Sequence, residues 1–264
     1  METSSITPLI LTYNEEPNLA GCLGRLRWAK EIVVVDSFST DATKQIAAGH
    51  PNVRLLERKF DNHTAQWNFG LDQCSTEWVL SLDADYLLAD GFEGELRSLA
   101  PGPELAAYAV SFRYCISGRP LRGTLYPPRL ALFRRTKCRY VQDGHTQLLH
   151  AAGPTAVLHT PVSHDDRKPL SHWLWSQDRY AKLEAEKLAC TPAGALGLND
   201  RIRKTIVLGP PVVLLYTLFV RGVILDGWSG WYYAFQRALA ETLLSLRLIE
   251  AKLGISSSDR SASK

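Results

Sequence analysis

The sequence predicts an α/β fold built on a parallel sheet, because short apolar runs alternate with helix-like stretches through its first half. The runs predicted as buried strands are 6–11, 31–35, 53–56 and 78–82. The stretches predicted as helices between them are 16–27, 40–48 and 63–72. Strands and helices of this length form right-handed crossovers, which cover a parallel sheet on both faces. The 264 residues suffice for one large domain or a domain with an appendage.

Composition and charge exclude several classes of protein. Hydrophobic residues make up 45% and charged residues 22% of the chain, which excludes wholesale disorder and fibrous architectures. The formal charge of +3 is too small to indicate a nucleic-acid partner. Five cysteines at irregular spacing, without a C-x-x-C pair, predict neither a disulfide framework nor a zinc site and favour a reducing cytosol. The first residues lack the basic and apolar regions of a signal peptide.

Polar clusters follow three of the predicted strands. They are Thr12–Glu16, Asp36–Asp41 and Asp83–Asp85. Ligands of open α/β sheets bind at the carboxyl ends of the strands, so these clusters form the candidate site. None contains a G-x-G-x-x-G or a G-K-[ST] sequence, so a bound nucleotide has to be held by other means.

Each cluster has a functional and a structural interpretation. Asp83 and Asp85, one residue apart, suit a shared Mg²⁺ or Mn²⁺ ion, but two solvated acids in a turn give the same pattern. Asp36 also reads as a neighbour of a helix N-cap, and Tyr13 as a core aromatic residue. The occurrence of all three clusters at one expected sheet edge favours the functional interpretation.

In this order the three motifs resemble those of family 2 glycosyltransferases, above all bacterial enzymes of lipopolysaccharide core and envelope glycan assembly. The motifs cover about residues 6–90, and a weaker similarity extends to about residue 250. The resemblance implies a GT-A (Rossmann-like) nucleotide-sugar-binding domain with a C-terminal helical extension. It also implies a nucleotide-sugar donor, with a UDP-sugar expected, and inversion at the anomeric carbon.

The resemblance also implies roles for individual residues. The donor-binding candidates are Thr12, Tyr13, Glu15, Asp36, Gln66, Asn68 and Asp83. Tyr13 and Thr12 would flank the base and Asp36 would hydrogen-bond it. Asp83 would approach the ribose and the metal, and Asp85 would ligate the metal. A divalent ion held there would neutralise charge on the departing nucleoside diphosphate.

The general base is expected in the segment Val141–Gln147. The family has an acid there, often after a histidine, whereas this chain has Thr146 at that position. Asp143 is the first candidate and His145 the second. A turn acid before Gly144 is the structural alternative for Asp143.

His164 is a candidate third metal ligand, because several GT-A enzymes use a downstream histidine in that way. A structural role explains it equally well, and imidazole suits Mn²⁺ better than Mg²⁺. The acids that follow, Asp165 and Asp166, are alternatively caps of the next helix.

A basic stretch lies between Glu104 and Asp143, with eight basic residues and no acidic one. Arginine forks suit phosphates and carboxylates, so Arg129 and Arg134 are candidates for binding an anionic glycan or glycolipid acceptor. A solvated basic face is the alternative.

The rest of the chain is predicted to be helical, with domains at 1–168 and 169–255 and a disordered Ser-rich tail at 256–264. Residues 206–225 are nearly all apolar, but Pro210, Pro211 and Arg221 interrupt them. We therefore expect an interfacial or re-entrant segment rather than a span, with a buried core helix as the alternative. Residues 201–264 carry 9 basic and 4 acidic side chains, which favours peripheral contact with a membrane.

These observations predict an inverting, non-processive, metal-dependent glycosyltransferase with a glycan or lipid-linked acceptor. It would be cytoplasmic or peripheral on the inner face of the cytoplasmic membrane. Two alternatives stay open: an inactive nucleotide-sugar or glycolipid-binding scaffold, and a sugar-phosphate nucleotidyltransferase. The second lacks the expected Gly-rich phosphate loop in residues 12–24.

Overall fold

The computed structural model describes residues 1–143 and 146–255, except for the side chains of Asp143, Thr146 and Ala193. The chain divides into two compact units, Met1–Lys168 and Pro169–Lys264. The predicted tail 256–264 lies outside the described residues.

The first unit is a mixed α/β structure. Its strands are β1 (Ile6–Thr12), β2 (Ile32–Asp36), β3 (Val53–Glu57), β4 (Trp78–Asp83), β5 (Tyr86–Leu88), β6 (Ala107–Val110), β7 (Phe112–Ile116), β8 (Arg119–Pro120), β9 (Arg129–Arg134), β10 (Cys138–Asp143), β11 (Thr146–Ala151), β12 (Thr155–Val157) and β13 (Val162–His164). Its helices are α1 (Leu19–Gly24), α2 (Thr43–Ala48), α3 (His63–Gln73) and α4 (Phe92–Ser98), after a short 3-10 turn at Thr3–Ser5.

A seven-stranded sheet in the order β12-β6-β9-β4-β1-β2-β3 organises this unit. The four predicted strands are adjacent and parallel at one side of it, as β4, β1, β2 and β3. Among the described strands of the sheet, β9 alone runs antiparallel to its neighbours. A second sheet has the order β5-β13-β7-β8, and β10 pairs with β11.

Both faces of the large sheet are buried, as a parallel sheet requires. Alternate residues of β1 point to opposite faces, so Ile10 packs with Leu23 of α1 on one face and Leu9 packs with Leu71 of α3 on the other. A Cβ atom added at Gly70 of α3 would lie 2.5 Å from Leu9 Cδ1, so this helix lies directly against the sheet. The predicted α/β class is confirmed.

The second unit is helical. Its helices are α5 (Leu170–Cys190), α6 (Leu198–Lys204), α7 (Gly209–Leu215) and α8 (Trp228–Leu253), with 3-10 turns at Ala193–Ala195 and Val223–Asp226 and a π-helical turn at Tyr216–Val220. Ala181, Ala185, Leu188, Leu196 and Leu244 form its small buried core. Arg203 of α6 pairs with Glu241 of α8 at 2.8 Å, which ties these two helices together.

The apolar segment 206–225 forms α7 and the π-helical turn rather than one long helix. Pro210 and Pro211 stand at the start of α7, where a missing N–H is tolerated. Within residues 1–143 and 146–255, the structure contains no helix long and apolar enough to cross a membrane. Most of the segment's large apolar side chains face solvent instead of a core, among them Val207, Leu208, Leu215, Phe219 and Val220.

Candidate active site

The three polar clusters meet at one edge of the sheet, as the sequence predicts. Thr12 of β1 is the register partner of Asp36 of β2, and Leu11 is the partner of Asp83 of β4. Parallel pairing therefore sets the ends of β2, β1 and β4 side by side. The strand ends form the floor of the candidate active site.

Asp36 holds two of the strand-end loops together. Its fully buried carboxylate accepts hydrogen bonds from Thr12 Oγ1 at 2.8 Å, from Ser39 Oγ at 2.6 Å and from the Ser39 backbone N–H at 2.7 Å. The N-cap of α2 is Ala42, so Asp36 does not cap that helix. Its burial makes Asp36 a fixed part of the loop frame.

The β1 and β2 loops expose two aromatic rings. Tyr13 is 45% exposed, which removes the core interpretation, and Phe38 is 51% exposed. Phe38 and Asn14 adopt left-handed backbone conformations, with φ values of 61° and 52°. Sequence analysis singled out Tyr13 but missed Phe38. The presence of an aromatic residue inside the second motif could have indicated it.

Gln66 and Asn68 of α3 form hydrogen bonds that hold together the elements around the site. Gln66 is buried, and its Nε2 donates to Ser37 Oγ at 3.1 Å, just after β2. Asn68 exchanges two hydrogen bonds with the backbone of Tyr140, at 3.0 Å and 3.1 Å. These contacts position α3 against the end of β2 and against β10. A direct contact of either side chain with a donor stays a prediction.

Asp85 and His164 face each other beside the end of β4. Antiparallel pairing of β13 with β5 sets His164 opposite Tyr86, and His164 Nε2 lies 3.0 Å from Asp85 Oδ2. Asp85 Oδ1 and His164 Nδ1 are also buried, and neither has a hydrogen-bond partner among the described residues. Asp85 Oδ1 is therefore a buried carboxylate oxygen that the described residues leave free to accept a ligand.

The electrostatics of this group follow from crowded, buried charges. Burial raises the pKa of Asp83, and the nearby carboxylate of Asp85 raises it further. Burial also acts to raise the pKa of Asp85, but His164 and Lys168 together act against it, and this pKa lies below its ordinary value. Burial acts to lower the pKa of His164, yet Asp85 raises it overall. The imidazole therefore partly compensates two carboxylates that repel each other.

Aromatic rings fix the orientation of His164. Its ring centroid lies 4.7 Å from that of Tyr114, 5.0 Å from that of Tyr126 and 5.2 Å from that of Tyr86. The hydroxyls of Tyr86 and Tyr126 are 2.9 Å apart and hydrogen-bonded. The imidazole therefore has little freedom to turn, and its buried nitrogens keep their direction.

Glu15 and Lys168 form a partly buried ion pair near Asp85. Burial raises the pKa of Glu15 to about 7; Lys168 lowers it, whereas Asp85 raises it further. Asn18 Nδ2 donates to Glu15 at 3.0 Å and to Asp166 at 3.2 Å, which joins the β1 loop to the segment after β13. Sequence analysis missed Lys168, because its partner lies far away along the chain.

Asp165 and Asp166 do not cap the next helix. The N-cap of α5 is Pro169, which supplies no side-chain hydrogen bond. Asp165 instead accepts from the Gly118 backbone N–H at 2.9 Å and from Arg167 Nε at 2.9 Å. The backbone N–H of Asp165 donates to the carbonyl of Asp85 at 3.0 Å. This bond holds the backbone of Asp85 in place.

The two acceptor candidates lie at opposite ends of β9, which corrects the assignment of Arg134. Arg134 pairs in register with Trp78, at the start of β4 and away from the strand ends. It is 9% exposed and donates to the carbonyls of Leu105 and Gly102 at 2.8 Å and 3.1 Å. Arg134 is therefore a structural residue. The sequence places both arginines in one basic run, whereas a strand of this length separates its two ends by the depth of the sheet.

Arg129 lies on the site side of the sheet. Its guanidinium carbon is 4.6 Å from the centroid of the Tyr126 ring, a cation–π contact. Its charge lowers the pKa of Asp83, against the effects of burial and of Asp85. Of the two general-base candidates, His145 lies outside the described residues, and so does the side chain of Asp143.

Comparison with known proteins identifies this arrangement. The family model described as "Glycosyl transferase family 2" matches residues 8–158, more than half of the chain. The chain belongs to glycosyl transferase family 2. It is thus a glycosyltransferase, and the motifs that predicted the family lie inside the matched segment, apart from the start of β1.

Relatives of this glycosyltransferase include a bacterial core enzyme that it matches over nearly its whole length. It is 28% identical over 260 residues to the lipopolysaccharide core biosynthesis glycosyltransferase LpsC of Rhizobium meliloti (strain 1021), covering 93% of this chain and 92% of LpsC. It is 31% identical over 102 residues to the SPbeta prophage-derived glycosyltransferase SunS of Bacillus subtilis (strain 168), covering 38% of this chain and 24% of SunS.

A solved structure supports the fold. The glycosyltransferase is similar to S. aureus TarS 1-349 in complex with UDP-GlcNAc, with a TM-score of 0.50, 16% identity and coverage of 94% of this chain and 92% of TarS 1-349. The GT-A type of fold, with helices after the catalytic sheet, is confirmed.

Proposed function

We propose that this glycosyltransferase moves a sugar from a nucleotide donor, in the first place a UDP-sugar, to a glycan or lipid-linked acceptor of the bacterial envelope. The reaction would be inverting, metal-dependent and non-processive. The observation that carries the proposal is the half-buried Asp85, whose buried Oδ1 is unsatisfied near Asp83 and His164. The name of LpsC supports an envelope acceptor, and the UDP-GlcNAc bound to TarS supports a UDP-sugar donor.

The donor would lie across the strand ends. Tyr13 offers an exposed ring for the base, and the buried Asp36 keeps the loop that carries it in place through Thr12. Asp83 and Asp85 would face the ribose and the diphosphate. Glu15, held by Lys168 and Asn18, would border the same cavity floor.

The residues at this point fit a divalent ion, Mg²⁺ or Mn²⁺. Within the described ranges no three His, Cys, Asp or Glu side chains are grouped to hold a metal by themselves. Mg²⁺ is usually held by one or two carboxylates together with substrate phosphates, so a site completed by the donor agrees with this arrangement. The proposed protein ligands are one or two of the candidates Asp83, Asp85 and His164, and the donor diphosphate would supply the others. The bound ion would act as a Lewis acid on the leaving diphosphate.

Inversion requires a base on the acceptor side of the anomeric carbon. Asp143 is the proposed base, and His145 is the second candidate. The attacking hydroxyl would give its proton to this base while the bond to the diphosphate breaks. Arg129 would bind an anionic group of the acceptor. It lies at the edge of the site, where its guanidinium group contacts the Tyr126 ring.

The second unit would bring the enzyme to the acceptor by peripheral contact with the inner face of the cytoplasmic membrane. Many of its exposed apolar side chains lie between residues 207 and 235, and Trp228 is 88% exposed. The notable members are Val207, Leu208, Val212, Leu215, Phe219, Val220, Leu225, Trp228, Tyr232 and Phe235. Aromatic and aliphatic side chains with basic neighbours such as Arg221 suit the interface of an anionic membrane.

Transfer itself tests the proposal. The enzyme is incubated with Mn²⁺, a panel of UDP-sugars and truncated lipopolysaccharide core as acceptor, and the anomeric configuration of the product is read by NMR. Transfer of one sugar per acceptor with inversion is the expected result. Transfer with retention would contradict the mechanism. Nucleotide binding without turnover on any core acceptor would favour the scaffold alternative, whereas membership of the family argues against a nucleotidyltransferase.

A further inference from the structure

We propose that Phe38 is a nucleobase-binding residue of the donor site, where its ring stacks on the base of the nucleotide. This inference rests on the proposed function, because it assumes that a nucleotide occupies the strand ends. It goes further by adding a contact beyond those expected of Thr12, Tyr13 and Asp36.

The backbone of Phe38 is unfavourable for its residue type. Its φ of 61° lies in the left-handed region. That region suits glycine, while a bulky side chain there is an outlier that costs free energy. Strained residues of this kind persist where the surrounding structure fixes them, and they cluster at functional sites.

Burial of the Phe38 side chain does not compensate for this backbone strain. The Phe38 side chain is 51% exposed and belongs to neither of the buried clusters that cover the sheet. A glycine at this position would fit the backbone without strain and would expose less apolar surface. Packing within the protein therefore does not explain an aromatic ring at this position, whereas contact with a bound ligand does.

The loop around Phe38 is held rigidly. The Ser37 N–H donates to the carbonyl of Thr12 at 2.9 Å, and Ser37 Oγ accepts from Gln66. On the other side of Phe38, Ser39 donates twice to Asp36. Hydrogen bonds thus fix the backbone on both sides of Phe38, so the loop needs little further ordering when a ligand binds.

The position of Phe38 fits a base rather than a phosphate. It follows β2 by two residues, and Tyr13, the other exposed ring of this edge, follows β1 by one. The acids that would face the diphosphate follow β4 instead. Every nucleobase has an apolar π-face, and aromatic side chains stack on it whatever the base.

Nucleotide binding to substituted enzymes tests the inference. The full chain is titrated with UDP and, separately, with inorganic pyrophosphate, both in Mn²⁺, and its melting temperature is recorded. Phe38→Gly should weaken UDP binding about tenfold, while Phe38→Tyr keeps it near the wild-type value. Phe38→Gly should leave pyrophosphate binding unchanged, and the melting temperature should not fall because the strain is relieved.

Ser117→Gly is the matched control, since Ser117 also has a positive φ, of 51°, but carries no ring. It should leave UDP binding unchanged. An unchanged UDP affinity in Phe38→Gly would overturn the inference, and so would an equal loss for pyrophosphate or a fall in melting temperature. If the wild type binds none of UDP, GDP and dTDP, the proposed function itself fails and this inference fails with it.

Discussion

His164 Nε2 lies 3.0 Å from Asp85 Oδ2, while the other oxygen of Asp85 and the other nitrogen of His164 are buried without partners in the described part of the chain. This pair joins the end of β4 to the end of β13, which is 79 residues away along the sequence. The pair thus leaves a carboxylate oxygen, Asp85 Oδ1, unsatisfied beside the end of β4.

Replacing His164 separates a ligand role from a structural one. His164→Gln keeps a polar side chain within reach of Asp85 but binds Mn²⁺ more weakly than imidazole. We expect the Mn²⁺ concentration for half-maximal activity to rise about tenfold, with most activity restored at high Mn²⁺. The measurement is a metal titration of the transfer rate. A lower melting temperature with an unchanged metal requirement would assign His164 to structure alone.

The two arginines of β9 should respond in opposite ways. Arg129→Met should raise the acceptor KM about tenfold and leave the donor KM nearly unchanged, because it removes a charge at the site edge. Arg134→Met should leave both values unchanged and lower the free energy of unfolding by about 2 kcal/mol, because it removes the hydrogen bonds that the buried guanidinium donates to the carbonyls of Leu105 and Gly102. Steady-state kinetics and denaturant unfolding of both variants check this. Equal kinetic effects would place both arginines at the acceptor.

Asp143→Asn tests the proposed base, since an amide cannot accept the proton of the attacking hydroxyl. We expect kcat to fall by about 10²–10⁴-fold, while the affinity for UDP is retained. His145→Gln is the comparison. If His145→Gln loses kcat and Asp143→Asn does not, the order of the two candidates is reversed.

Glu95 should make stability depend on pH. Its carboxylate accepts from the backbone N–H groups of His159 and Thr160 at 2.7 Å and 2.8 Å. Partial burial acts to raise its pKa, but these bonds outweigh burial and hold the pKa below its ordinary value of 4.5. Because the folded-state pKa is the lower one, the stabilisation is present above pH 4.5 and is lost as the pH falls through the folded-state pKa.

Glu95→Gln should therefore cost about 1 kcal/mol at neutral pH and almost nothing in acid. Glu93→Gln on the same helix is the control, since Glu93 forms an exposed ion pair with Arg97. Denaturant unfolding across pH measures both. A cost for Glu95→Gln that is the same at every pH would contradict the assignment.

Gly230 of α8 is expected to tolerate no side chain. A Cβ atom there would lie 1.7 Å from the carbonyl oxygen of Val223, which is backbone and cannot turn away. Gly230→Ala should destabilise the second unit by about 1–3 kcal/mol. Gly94→Ala in α4 meets nothing within 4 Å and should stabilise by about 0.5–1 kcal/mol. Thermal unfolding of both variants checks the contrast.

Local patterns predicted the first half of the fold and the outline of the site. The strands β1 to β4 carry apolar runs that only a doubly covered sheet explains, and the acids after β2 and β4 mark one edge. The resemblance implied only that Asp85 and His164 are candidate ligands of one metal, and no local pattern predicted their direct hydrogen bond, since they lie far apart along the chain.

Features that depend on distant pairing were beyond sequence reasoning. The antiparallel insertion of β9 sends Arg134 to the far end of the sheet, although it lies five positions from Arg129 in the chain. The partnership of Glu15 with Lys168 and the left-handed backbone of Phe38 also arise from the folded loops. In α8, Phe235 and Leu239 lie four positions apart, a spacing typical of a buried helix face, yet both side chains are exposed.

Nucleotide binding tests the central claim most directly. Calorimetry with UDP, GDP and dTDP, with and without Mn²⁺, compares the wild type, Asp85→Ala and the control Asp90→Ala, an exposed acid that pairs with Arg25. We predict Mn²⁺-dependent binding of one nucleotide that Asp85→Ala weakens and Asp90→Ala does not. Binding that is independent of both the metal and Asp85, or no binding of any nucleotide, would contradict the account.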